Sequence, residues 1–249
     1  MFTVVVANSK GGCGKSTVSM LLAAALSQYL TTVVADSDPQ GTASLWGSLT
    51  GAFPAPVVAI AAQDAQTGLA RLKALYQVVV VDCPPNLEAP VFHAALAAAD
   101  LLLIPCAPEP ADTWATELML EFTKSFFPNL LTRVVINKVP SGTALAREVL
   151  KCVESGNWPH AKARLGLRTA YKEAAALGSS LEGIKGAGAR TAREEIQALA
   201  LEVTTLLTTG QEPQALLVDE PQAQPDVEPA AERAYRAPLL AEPSDWNQY

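Results

Sequence analysis

Residues 8–17 read Asn-Ser-Lys-Gly-Gly-Cys-Gly-Lys-Ser-Thr and follow directly on an apolar run, 3–7. Gly11, Gly12 and Gly14 free the backbone so that successive N–H groups can converge on one point. Ser16 and Thr17 open a helix-forming stretch, which aims the positive end of a helix dipole at that point. A loop of this composition binds phosphate oxygens: Lys15 is expected to neutralise the terminal phosphates of a nucleotide, and Ser16 to offer its hydroxyl to Mg2+. Two acidic segments, Asp36-Ser-Asp38-Pro-Gln-Gly41 and Asp82-Cys-Pro-Pro85, also follow apolar runs of strand length. An aspartate after a strand is often only a turn or cap residue. Here their order after the glycine loop favours a shared site at the carboxyl ends of strands.

Six apolar runs, 3–7, 33–36, 57–60, 78–82, 101–105 and 134–137, alternate with segments of helix length. Continuous rather than alternating apolarity marks strands covered on both faces, and the alternation with helices implies βαβ crossovers. The predicted fold class is α/β, a doubly wound and mostly parallel sheet flanked by helices. Helices are expected over 16–29, 112–125, 143–155, 169–177 and 191–207. The last carries Ile196, Leu199, Val203 and Leu206 at helical spacing, an apolar stripe for packing on the sheet.

A standard G-x-x-x-x-G-K-[ST] loop would place glycine at position 9, where this chain has Ser9, and a second lysine, Lys10, leads the loop instead. The pattern K-G-G-x-G-K-[ST] resembles the deviant Walker A ATPases of the ParA/MinD superfamily, a branch of the P-loop NTPases, and the resemblance covers about residues 1–208. It implies ATP and Mg2+ as cofactors. Lys10, Gly11, Gly12, Cys13, Gly14, Lys15, Ser16 and Thr17 would cradle the nucleotide, and the Lys10 counterpart reaches across a homodimer that sandwiches ATP. By the same resemblance Asp38 positions the attacking water and joins Lys10 and Lys15 in catalysis. Asp36 supports the Mg2+ shell begun by Ser16, and Asp82, in a Walker B segment, holds a magnesium-bound water. Asn137 stands where relatives contact adenine, although an Asn ending a strand is equally a turn residue. Asp112 matches a segment near the family's dimer interface, with a helix N-cap as the better reading. The stretch from Arg164 through Arg168 and Tyr171 also resembles a family segment.

The formal charge is −7 and unevenly spread. Residues 210–249 hold eight acids against two arginines, whereas residues 122–193 hold twelve Lys and Arg against four Glu. A basic lobe on an acidic protein is a surface for polyanions. Lys151, Arg164, Arg168, Lys172, Lys185, Arg190 and Arg193 are expected to contact DNA without sequence preference. Arg190 and Arg193 stand out because they open a helix, where the dipole disfavours cations. Residues 1–209 are read as one ATPase domain and 210–249, with six prolines, as a disordered acidic tail.

No run approaches the roughly 18 to 20 apolar residues of a membrane span, and the N-terminus lacks a signal peptide, so a cytoplasmic, nucleoid-associated protein without membrane contact is expected. Cys13, Cys83, Cys106 and Cys152 lack metal-ligand spacing and are read as buried thiols. The first strand starts at residue 3 without a preceding DNA-reading extension, which is similar to the small, ParF-like ParA branch. That branch implies a positioning switch for a cargo, such as a plasmid, a chromosome origin or a carboxysome, working with a ParB-like or cargo-adaptor protein that with DNA stimulates ATP turnover. The alternative is an ATP-dependent metabolic ligase or synthetase on the same fold.

Overall fold

The computed structural model describes residues 1–140, 147, 151, 153 and 155–210. Strands β1 (Phe2–Val6), β2 (Thr32–Asp36), β3 (Val57–Ala59), β4 (Val78–Asp82), β5 (Leu101–Cys106) and β6 (Leu131–Ile136) form one sheet in the order β3-β2-β4-β1-β5-β6. Every pairing between these strands is parallel. Each strand falls on one of the six apolar runs.

The helices are α1 (Lys15–Leu26), α2 (Thr42–Ser48), α3 (Ala65–Leu75), α4 (Pro90–Ala98), α5 (Pro110–Phe126), α6 (Thr169–Ala176) and α7 (Ala187–Thr209). Alternate residues of the same strand feed two cores. Val4, Val6, Val34, Val78, Val80, Leu101 and Leu103 pack with α1, α6 and α7. Val5, Val33, Val79, Val81, Leu102 and Ile104 pack with α3, α4 and α5. Full burial of such side chains contributes roughly 1.5–3 kcal/mol each, which is why the central strands read as unbroken apolar runs. At β3, the end of the strand order, the expected two-sided cover is incomplete: Val58 is 38% exposed.

Ile196, Leu199, Val203 and Leu206 of α7 are buried as their spacing predicts. Most of the helix expected over 143–155, and the tail after Gly210, lie outside the described residues. What matters for chemistry is the register. Val6 pairs with Asp82 and with Leu103, and Asp36 pairs with Asp82, so the loop after β1 and both acidic segments emerge together at the carboxyl end of the sheet.

Candidate functional site

The phosphate loop turns on two glycines. Gly12 has φ +79° and Gly14, the N-cap of α1, has φ +99°, values that side chains rarely tolerate. No acidic residue lies in the first turn of α1, so nothing in that turn neutralises the positive helix end. Lys15 is buried, and its Nζ donates to the Lys10 carbonyl at 2.9 Å. The entry to the loop is anchored from α5 and β5. The fully buried Asn8 donates from Nδ2 to Pro105 O at 2.8 Å and to Thr116 Oγ1 at 3.2 Å, and its Oδ1 accepts the Lys10 N–H. Sequence reasoning passed over Asn8; an amide between an apolar strand and a glycine loop was the available signal.

Lys10 is paired with α5. Its Nζ lies 2.7 Å from Asp112 Oδ2, whose side chain is 3% exposed. Hydrogen bonding to Asp112 raises the Lys10 pKa, holding the ammonium charged. The N-cap reading of Asp112 is therefore corrected: Glu109 occupies the cap position of α5, Asp112 sits in the first turn, and its carboxylate faces Lys10.

The acidic residues divide by partner. Asp36 is buried and engaged on both oxygens: Oδ1 accepts the Asp38 N–H at 3.2 Å, and Oδ2 accepts from Ser44 N at 2.7 Å and Ser44 Oγ at 2.6 Å. It shapes the segment that carries Asp38 and starts α2. Asp38 is half-buried and accepts the Gln40 N–H, while the turn closes through Gly41 at φ +65°. Ser37 fixes this segment to β4 by donating from Oγ to Asp82 O at 2.8 Å.

Asp82 itself is fully buried. Its Oδ1 accepts from Ser19 Oγ at 3.0 Å, but Oδ2 has no hydrogen-bond partner among the described residues. Burial pushes its pKa up to about 7, with Asp36 adding and the nearby Ser16 and Ser19 hydroxyls and Lys15 only partly offsetting. A buried carboxylate oxygen without a partner, beside a serine at a helix N-terminus, is an oxygen set that fits Mg2+.

Asn137, at the end of β6, is buried against the loop, donating from Nδ2 to Cys13 O at 2.9 Å. The neighbouring Lys138, which sequence reasoning did not single out, donates from Nζ to Gly12 O. The thiols of Cys13, Cys83 and Cys106 are free and buried, and burial raises the pKa of Cys83 and of Cys106 to about 12, which leaves them unreactive; Cys152 lies outside the described residues.

The seven basic candidates do not form a uniform set. Lys151, Arg164, Lys172, Lys185 and Arg190 are exposed, and Arg190 pairs with Glu194 one turn on. Arg168 is instead held by Glu195, which also accepts Tyr171 Oη at 2.6 Å and the Gly166 N–H at 3.0 Å. Arg193 donates to the carbonyls of Leu181 and Ile184 at 3.0 and 3.1 Å. The guanidinium of Arg193 thus satisfies backbone acceptors in the turn before α7, a structural role that its place near a helix start does not reveal.

The model of the CobQ/CobB/MinD/ParA nucleotide binding domain matches residues 4–181, which carry the loop, both acidic segments and Asn137. The chain belongs to the CobQ/CobB/MinD/ParA nucleotide-binding family. It is a P-loop ATPase of the ParA/MinD type. The maintenance of carboxysome distribution protein A of Halothiobacillus neapolitanus is 33% identical over 208 residues, 81% of this chain and 96% of that protein. The ATP complex of a Cyanothece McdA variant superposes with a TM-score of 0.63 at 19% identity, covering 81% of this chain and 96% of that one. Cobyrinic acid a,c-diamide synthase of Mycobacterium smegmatis with ADP and magnesium also gives 0.63, at 20% identity over 85% of this chain and 97% of that one. At such identities the two structures establish the fold alone. McdA and the synthase thus share this scaffold, and no helix among the described residues is long and apolar enough to cross a membrane.

Proposed function

We propose that the protein is an ATP-hydrolysing dimerisation switch that holds nucleoid DNA without sequence preference and positions a cargo through an adaptor protein. A protein assembly of the carboxysome kind is the favoured cargo, supported by the identity to the carboxysome distribution protein over 96% of that protein's length. The observation that supports the switch reading is the difference in partners of the two loop lysines: Lys10 pairs with Asp112 on α5, whereas Lys15 donates to the Lys10 carbonyl within the loop.

In this reading the loop N–H groups, with Lys15, hold the phosphates of ATP. Ser16 and Asp82 would hold Mg2+, which when bound draws negative charge from the phosphate oxygens. Asp36 acts one step back by fixing the Asp38 turn, and Asp38 orients the attacking water. Lys10 leaves Asp112 as two subunits close, so ATP favours the dimer by its extra contacts in that state. Dimerisation doubles the phosphate contacts offered to DNA by Lys151, Arg164, Lys172, Lys185 and Arg190, which makes attachment ATP-dependent.

The test is ATP turnover by the purified protein in the absence of any small-molecule acceptor, with and without duplex DNA. Turnover stimulated by DNA is expected, and Asp38→Ala should keep ATP binding while hydrolysis falls by roughly 10² to 10⁴. Turnover that requires an acceptor would move the protein to the synthetase class.

A further inference from the structure

We propose that α2 is a lever between the Asp38 turn and the turn that joins α6 to α7, and that Trp46 and Thr50 are positioning residues through which DNA on the basic lobe speeds hydrolysis. One end of the lever holds the acid that orients water. Ser44 donates from N and Oγ to Asp36 Oδ2 at 2.7 and 2.6 Å, and Asp36 Oδ1 accepts the Asp38 N–H. As the chain enters the helix, the Gly41 N–H donates to Asp38 O at 2.9 Å. A displacement of α2 therefore displaces Asp38, and a shift of about 1 Å in a group that aligns reactants changes the rate by up to roughly 10²-fold.

The other end of α2 is fastened far along the chain. Trp46 is buried, and its Nε1 donates to Ser179 O at 3.1 Å across 133 residues; Thr50 Oγ1 donates to Gly178 O at 3.0 Å across 128. Gly178 brings the two backbones close. It holds φ +58°, and a Cβ there would meet Leu49 Cβ at 2.5 Å and Trp46 O at 3.0 Å. The turn thus packs on atoms of α2 that the backbone itself fixes, so a shift of the turn is passed to the helix rather than absorbed by a flexible side chain.

The basic lobe begins at the same turn. Arg193 Nη1 donates to the carbonyls of Leu181 and Ile184, which ties this segment to α7, and the exposed Lys185 and Arg190 follow directly. Phosphates gathered by those two cations pull on a stretch that starts at Gly178. Ser179 Oγ in the turn is buried and has no hydrogen-bond partner among the described residues. Pairing that hydroxyl favours a second arrangement of the turn, the two-state element that coupling between distant sites requires.

The link rests on the reading of the protein as a DNA-stimulated ATPase, and the parent protein tests that reading separately. Turnover of saturating Mg-ATP is measured with and without saturating duplex DNA for the full chain, Trp46→Phe, Thr50→Val and Thr50→Ser. KM for ATP and DNA affinity are measured for each, with circular dichroism as the check on folding. Trp46→Phe keeps a ring in the buried site but removes the indole N–H, and it should lower the stimulation by DNA roughly fivefold, the factor carried by one net hydrogen bond. KM for ATP and DNA affinity should stay at the parent values, so that kcat with DNA carries the loss. Thr50→Val should lower the stimulation in the same way, and Thr50→Ser, which keeps the hydroxyl, should restore it. Thr50 is exposed, so its variants keep the test intact if Trp46→Phe fails to fold. Unchanged stimulation in the folded variants that lack the donor would overturn the link and leave the switch reading standing. Turnover lowered equally with and without DNA would mark the contacts as merely structural and overturn it too, as would a loss of stimulation that follows weakened DNA binding. A parent protein that DNA does not stimulate would overturn the switch reading and the link with it.

Discussion

At the end of β4, the Asp82 carboxyl is buried with one oxygen unpartnered, and its pKa is pushed up to about 7. In the lobe formed by α6 and α7, Glu195 is also largely withdrawn from water, yet its pKa is lowered. Burial raises it, but the Arg168 guanidinium, the Tyr171 hydroxyl and the Gly166 N–H together outweigh burial. Desolvation raises both, Asp82 fully buried and Glu195 partly so, yet they receive opposite treatment. Glu195 is saturated by the chain's own donors, whereas Asp82 Oδ2 has no hydrogen-bond partner among the described residues, with the Ser16 hydroxyl nearby. The ligand-binding end of this molecule is recognised by what it leaves unpaired.

The comparison breaks if the two acids respond alike to loss of charge. Asp82→Asn should lower ATP hydrolysis by at least about 10², through loss of a metal oxygen, while raising the stability of the nucleotide-free protein by on the order of 2 kcal/mol at pH 7. Glu195→Gln should do the reverse: stability falls by about 2 kcal/mol, because Arg168 and Tyr171 lose their shared acceptor, and ATP affinity stays within about twofold. Denaturant melts and ATP titrations of both variants decide it.

A smaller effect sharpens the same contrast. Between its usual range near pH 4 and about pH 7, Asp82 binds a proton in the folded state but not in the unfolded one, so its contribution to stability is present at the low end and is lost as pH rises. Glu195 has a lowered pKa, so its contribution is present above the usual carboxylate range and is lost as pH falls through the folded value. The stabilisation by Asp82→Asn should therefore shrink toward pH 4, and the loss from Glu195→Gln should shrink in strongly acidic solution. A pH series of melts on the nucleotide-free protein reads both.

Much of this was legible before any coordinates. The strands are readable because burial on two faces leaves no polar positions, and the convergence of the glycine loop with Asp36 and Asp82 at one end of the sheet is readable because they follow strands that must end together. Helices α2, α3 and α4 are absent from the expected set; in α2, seven residues with Gly47 inside give no period to count. Asn8, Asp112 and Lys138 were harder still: Asn8 meets Thr116 across 108 residues, Lys10 meets Asp112 across 102, and Lys138 meets Gly12 across 126. No local pattern carries such contacts. The structural role of Arg193 was hidden for the same reason, as helix-dipole reasoning sees only the helix and its acceptors lie in the turn before it.

Lys10 is expected to exchange Asp112 for a second subunit when ATP is bound. The direct measurement is the mass by light scattering of Asp38→Ala with Mg-ATP, alone and combined with Lys10→Ala, alongside a check that both still bind ATP. Twice the monomer mass of 26.2 kDa is expected for Asp38→Ala, and the monomer mass once Lys10 is removed. A monomer in the first sample, or an equally stable dimer in the second, would contradict it.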